Sequence, residues 1–422
     1  MYYQNKLANN MNLITVPMTG TRTITILVLV GTGSKNEERS NNGISHFLEH
    51  MFFKGTKSRP NTMDIATELD SVGASYNAFT DKECTGYWVK LDADKKKLGL
   101  DVVSDMLLNS KFSQEEIDRE RGVIIEEINM CHDNPLMYID DLFEKCLYGD
   151  TPAGWEILGP KKNIKSFKRE DFLDYFQKQY GANNTVVCLA GNIGSSEAKE
   201  LVQSYFKKVS RSRVKEGEGV IENQTSPRVK IKFKKTDQVS LALGLRAFPV
   251  NHENEFPAKI ISTLLGGSMS SRLFTQLRER QGLAYYVRTF YEAYSDSGYI
   301  STQAGVPKNK LDKAINVILK EYQRIKDEGI SEPELKRTKD LIKGRMVLQL
   351  EASDNVANWY ARQALFRKKI FSLEELISSI DKVSVKDVKR VGEEIFQNKG
   401  LNLALIGPFS DNSKFRRKLN LN

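Results

Sequence analysis

The sequence predicts an α+β fold of two homologous domains, each a mostly antiparallel sheet packed with helices. Three observations point to it. Strand-like segments alternate with runs of two or more helices rather than in strict βαβ order. Two long charged helices, one in each half, open on the same capping pattern. A buried strand ending in glycine then follows each helix at almost the same offset.

The helices start at Ser113-Gln114-Glu115-Glu116 and Ser331-Glu332-Pro333-Glu334 and run through Ile128 and Met346. Each has Ser at the N-cap and Glu three residues on, so the two side chains can satisfy the first exposed backbone N–H groups reciprocally. The glycine-ended strands are Asn184–Gly191 and Leu401–Gly407. Two matches in register favour duplication over coincidence. Between the halves, Ser210–Gly219 is polar and lacks apolar periodicity, and with the stretch continuing to Pro227 it reads as a linker. The predicted organisation is a domain over 1–209, a linker over 210–228 and a second domain over 229–422.

Length and composition fit a soluble globular protein: 422 residues, 40% apolar and 28% charged. The β-branched run Thr23–Val30 has the length of a strand and is too short to span a bilayer. Met1–Lys6 leads into polar sequence without the apolar core of a signal peptide. The four cysteines, Cys84, Cys131, Cys146 and Cys188, show no C-x-x-C spacing, which suits reduced thiols in the cytoplasm. The net charge of +9 arises from 63 basic and 54 acidic residues. Its clusters, Lys95-Lys96-Lys97 and Arg416-Arg417-Lys418, carry no interleaved aromatics, so they read as solvated surface. Neither a nucleic-acid nor a membrane partner is expected.

The chemistry concentrates in His46-Phe47-Leu48-Glu49-His50, which holds two of the four histidines in the chain. On a helix, positions i and i+4 share a face, so both imidazoles can reach one ion. Two imidazoles suit Zn²⁺, and Glu49 at the rim of that face can take a proton from water. H-x-x-E-H reverses the commoner H-E-x-x-H order. A catalytic zinc needs a third protein ligand. His132 and His252 have no partner at ligand spacing, so a carboxylate is the natural third ligand. Glu120 and Glu127 lie two turns apart on one face of the Arg119–Ile128 helix, whereas Glu126 points elsewhere. One of the two could ligate the metal and the other brace a histidine, and spacing leaves the choice open. Ala74–Thr80 and Thr85–Leu91 read as a hairpin. If its first strand is a free edge, the backbone of Asn77, Ala78, Phe79 and Thr80 can pair with an extended peptide.

The run Gly43–Thr56, followed by Tyr76–Thr80 and Glu120–Glu127, resembles the insulinase/pitrilysin family of zinc metallopeptidases, in the branch of mitochondrial-processing-peptidase β-subunits and their bacterial relatives. The resemblance covers nearly the whole chain. It implies one Zn²⁺ per chain on His46, His50 and Glu127, with Glu120 as the supporting acid and Glu49 as the base. Ser271–Tyr285 resembles the C-terminal substrate-binding motif of that family, which assigns Arg278 and Tyr285 to the scissile region of a peptide. The second half has no H-x-x-E-H, and Arg345 stands where the first half has Glu127, so only one half can hold the metal. Cys84 and the loop Gly154–Gly159 follow the family pattern loosely, away from the ligands.

By the same resemblance the chain forms half of a clamshell that admits unstructured peptides. The partner is a second copy, giving a homodimer, or an inactive sister subunit. The function implied is a zinc-dependent endopeptidase. The alternatives are a non-catalytic structural or partner subunit, against which the complete ligand set argues, and a processing peptidase narrow for one precursor.

Overall fold

The computed structural model describes residues 1–214 and 217–421, so Lys215 and Glu216 of the expected linker lie outside the described residues. The chain divides into two compact units. Unit 1 comprises Met1–Asn129, Trp155–Glu218 and Val347–Ser372; unit 2 comprises Met130–Gly154, Gly219–Met346 and Leu373–Asn422.

Unit 1 is built on a six-stranded sheet of β1 (Tyr3–Lys6), β2 (Asn12–Pro17), β3 (Thr23–Val30), β4 (Ser75–Thr80), β5 (Thr85–Asp92) and β6 (Thr185–Gly191), in the order β1-β2-β6-β3-β5-β4. β2 and β6 pair in parallel and the other neighbours are antiparallel. β3 is apolar almost throughout because both of its faces are covered. Ile24, Ile26, Val28 and Val30 enter a core with residues of α1 (Ile44–Met51), α2 (Thr62–Asp70), α3 (Lys96–Asn109) and α4 (Gln114–Asp133). Leu27 and Leu29 point the other way, into a core closed by Val356, Ala357, Tyr360 and Ala361 of the helix Ser353–Phe366.

Unit 2 carries a five-stranded sheet of β7 (Arg228–Phe233), β8 (Gln238–Ala247), β9 (Tyr286–Ala293), β10 (Gly298–Pro307) and β11 (Asn402–Gly407), in the order β7-β11-β8-β10-β9. Here β7 and β11 are the parallel pair. Helix α5 (Pro135–Tyr148) covers one face, with the Phe143 ring 5.4 Å from that of Tyr299. The helix Leu311–Glu328 covers the other, where the buried Tyr322 hydroxyl bonds the Leu243 carbonyl at 2.9 Å. Both sheets are therefore mostly antiparallel and packed with helices, as the sequence predicts. The hairpin of β4 and β5 forms, and β4 is an edge strand.

The units differ from the contiguous domains 1–209 and 229–422. Residues 130–154 belong with the second sheet and 347–372 with the first. The reason is apolar burial: Ile139, Leu142, Phe143, Cys146 and Leu147 of α5 bury on the second sheet, and the Ser353–Phe366 stripe buries on the first. The expected linker also ends early, because Arg228 already pairs with Asn402 as the first residue of β7.

One ion network braces the segment after α1. Arg59, 7% exposed, meets Glu68 of α2 through Nε at 2.6 Å and through Nη2 at 3.0 Å. It also reaches Asp101 and Asp105 of α3 at 2.6 and 2.9 Å. Asp105 further accepts from Thr56 at 2.5 Å and Asn109 at 2.7 Å. The four cysteines are buried thiols, none of them in a disulfide. Among the described residues no helix is long and apolar enough to cross a membrane.

Candidate metal centre

Helix α1 forms where the sequence places an apolar stripe. Ile44, Phe47, Leu48 and Met51 recur at i, i+3, i+4 and i+7 and are all buried. That stripe fixes the rotation of the helix and turns His46 and His50 to a neighbouring face. Gly43 starts the helix with φ +101, and a Cβ there would come within 2.8 Å of the Leu158 carbonyl oxygen. The free N–H groups of the first turn are met by Glu37. Its Oε2 accepts from Gly43 N and Asn42 Nδ2, and its Oε1 from Ser45 N, each at 2.8 Å. Burial pushes the Glu37 carboxyl up to about 7, against the lowering effect of those hydrogen bonds. Ser45 Oγ in turn shares a 2.7 Å hydrogen bond with the buried Tyr175 hydroxyl.

Helix α4 is set by the same logic. Ile117, Ile124 and Ile128 face the core, which leaves Glu120 and Glu127 together on the side toward α1. His46 Nε2 and His50 Nε2 lie 3.3 Å apart, and Glu127 Oε2 lies 3.6 Å from each. These three side chains form the one group among the described residues that could hold a metal ion. A tetrahedral ion with bonds of about 2.0–2.2 Å separates its ligands by about 3.3–3.6 Å, so two imidazole nitrogens and a carboxylate oxygen at this spacing fit zinc.

The two glutamates that spacing left open differ in where they point, and Glu127 is the one that faces the two Nε2 atoms. Glu120, 5% exposed, turns away from the triangle and accepts from His50 Nδ1 at 2.8 Å. Its other oxygen meets Lys54 Nζ at 2.6 Å. Burial raises the Glu120 carboxyl, but the hydrogen bonds from His50 and Lys54 outweigh it and hold it below its ordinary value. That bond holds a proton on His50 Nδ1 and leaves Nε2 as the nitrogen that faces His46 and Glu127. Burial, reinforced by the neighbouring His50, lowers His46 to about 3, whereas at His50 burial is outweighed by the hydrogen bond to Glu120 and the nearby carboxylates, which raise it above its ordinary value. Glu126 bonds Asn129 Nδ2 at the surface.

Glu49 is held by Thr80, whose hydroxyl donates to Oε2 at 2.5 Å. Burial raises the Glu49 carboxyl above its ordinary value, partly offset by Thr80 and His50. Along β4, Asn77 Oδ1 accepts from the Ala78 N–H at 2.9 Å, Tyr76 and Ala78 pack toward the α1 side, and Phe79 packs on the opposite face. Arg278 and Tyr285 lie in unit 2. Arg278 sits on a π-helical segment, Phe274–Arg280, with its guanidinium 5.8 Å from the Tyr285 ring centre, and Tyr285 is 81% exposed. Sequence reasoning passed over Lys54, Glu37 and the Thr80–Glu49 bond. Lys54 had a usable signal, since it follows His50 by four residues; Glu37 and Thr80 act across tertiary contacts and had none.

Residues 13–161 match the family model of Insulinase (Peptidase family M16), and residues 166–342 match that of the Peptidase M16 inactive domain. The chain belongs to the insulinase family, peptidase family M16. It is 35% identical to the uncharacterized zinc protease YmxG of Bacillus subtilis, over 92% of this chain and 93% of that one. In fold it is similar to a protease from Helicobacter pylori, with a TM-score of 0.90 and 23% identity over 97% of this chain and 99% of that one. It is similar also to a chain of Complex III2 from Candida albicans, with a TM-score of 0.83 and 18% identity over 99% of each.

Proposed function

We propose that the chain is a zinc-dependent endopeptidase acting on extended, unstructured peptides. The observation that carries this reading is the His46–His50–Glu127 triangle with a half-buried carboxylate, Glu49, beside it on the helix of the two histidines. Zinc bound by these three side chains would polarise a substrate carbonyl and make water nucleophilic at neutral pH. Glu49 takes the proton of the attacking water and returns it to the leaving amine, which its raised affinity for a proton suits it to do. His46 and His50 would offer their Nε2 atoms to the ion, and Glu120 with Lys54 keeps the His50 ring from turning. The peptide pairs with the free edge of β4 along Asn77–Thr80. Arg278 and Tyr285 contribute a guanidinium fork and a phenol to hold it and to meet developing oxyanion charge. In this reading unit 1 is catalytic and unit 2 binds substrate. A second copy, or an inactive sister chain, supplies the remaining domains of the enclosure.

Chelation tests the proposal directly. The purified protein is expected to contain one zinc per chain, to lose hydrolysis of a quenched peptide library on metal removal, and to regain it on stoichiometric zinc. Turnover that survives complete metal removal would overturn it. A second expectation concerns the brace: Glu120→Ala should weaken zinc binding about 10- to 100-fold, measured by competition with a chromogenic chelator. Wild-type affinity in that variant would mean that Glu120 does not orient His50.

A further inference from the structure

We propose that Thr80 is the residue that positions Glu49 for proton transfer, and that it couples peptide pairing on β4 to the state of the base. The proposal rests on the reading of Glu49 as the base. Thr80 is the last residue of β4, and strand alternation puts it with Tyr76 and Ala78 on the face toward α1. Its hydroxyl has one proton to give, and it gives it to Glu49 Oε2 at 2.5 Å. An ionised acceptor makes this a strong, directional bond. It stops the carboxylate from turning about its last torsion, which is otherwise broad. Oε2 is committed to Thr80, so Oε1 remains for the proton of water.

The strand end that carries Thr80 is anchored on several sides. Asp81, the next residue, is ion-paired to Arg362 of the helix Ser353–Phe366. Lys82, 4% exposed, donates from Nζ to the Trp155 carbonyl. The end of the Phe79 ring lies against Gly86 of β5, where a Cβ would come within 2.4 Å of it. Thr80 therefore has little freedom to follow Glu49, and Glu49 must conform to Thr80. The free edge of the same strand is where a peptide would add. A peptide that pairs there stiffens β4 and, through one hydroxyl, the base.

The test compares wild type, Thr80→Val, Thr80→Ser and Glu49→Gln, all zinc-loaded, on one quenched peptide. Valine keeps the shape of threonine and removes the donor; serine keeps the donor. Thr80→Val is expected to lower kcat about 10- to 100-fold with KM unchanged. Zinc content and the thermal midpoint should match wild type, and Thr80→Ser should recover most of the rate. In crystals of Thr80→Val the Glu49 carboxylate should be rotated from the position it holds against Thr80. A wild-type kcat in Thr80→Val while Glu49→Gln is inactive would overturn the Thr80 assignment alone. So would a rise in KM with kcat intact, which would leave Thr80 as a substrate contact. Full activity of Glu49→Gln would instead remove the reading of the base, and the Thr80 proposal with it.

Discussion

Glu49→Gln should abolish peptide hydrolysis while leaving one zinc bound per chain. Glutamine has nearly the shape of glutamate, and its carbonyl oxygen can still accept from Thr80, so the helix and the strand beside it are undisturbed. None of the three side chains of the metal triangle is changed. What is lost is a group that can take a proton from water and pass it to an amine. General acid–base catalysis of this kind contributes about 10²- to 10⁴-fold, so kcat is expected to fall by at least that lower bound. Metal analysis and steady-state kinetics on the same preparation decide the matter. Zinc lost in parallel with activity would place Glu49 among the ligands instead.

Arg59→Ala is expected to be the most destabilising single change outside the apolar core. Arg59 and Asp105 are both nearly buried, and removing the guanidinium strands Asp105 among Thr56 and Asn109 with no counter-charge. Breaking a buried ion pair from one side costs about 3–5 kcal/mol. Glu68 and Asp101 reach water, 35% and 51% exposed in their side chains, and can resolvate, which places the expected loss near about 3 kcal/mol. Arg59→Lys should recover only part of it, because one ammonium cannot replace a planar fork that reaches three carboxylates at once. Trp88, Trp155 and Trp359 all belong to unit 1, so denaturant unfolding followed by tryptophan fluorescence reports on that unit. A midpoint within error of wild type would show that the network adds nothing to stability.

What the sequence revealed follows the range over which each contact acts. The H-x-x-E-H helix was legible because its stripe, Ile44, Phe47, Leu48 and Met51, and its two imidazoles all obey one period. The hairpin of β4 and β5 was legible from alternation and a short polar turn. Glu120 and Glu127 were legible as a pair, since they share a face, but not in their separate roles. Which glutamate faces the imidazole nitrogens depends on how α4 crosses α1, and that crossing is set by packing of Ile117, Ile124 and Ile128. The Thr80–Glu49 bond joins a strand end to a helix, and Glu37 reaches the first turn of α1 across a loop. Neither leaves a periodic trace. The helices 135–148 and 353–366 each carry an apolar stripe, but a stripe does not say which sheet it will cover.

That last feature has a consequence for how the protein is made. A ribosome delivers domains in order from the N-terminus, and most fold as they emerge. Here the sheet that begins at residue 3 waits for a helix that begins at residue 353. Until that helix leaves the exit tunnel, Ile14, Val16, Leu27, Leu29, Val186, Cys188 and Ala190 have no cover on their side of the sheet. The nascent chain must carry that bare apolar face until residues 353–366 have been made. The unit proposed to bind the metal is thus completed only by a helix made after every strand of its sheet.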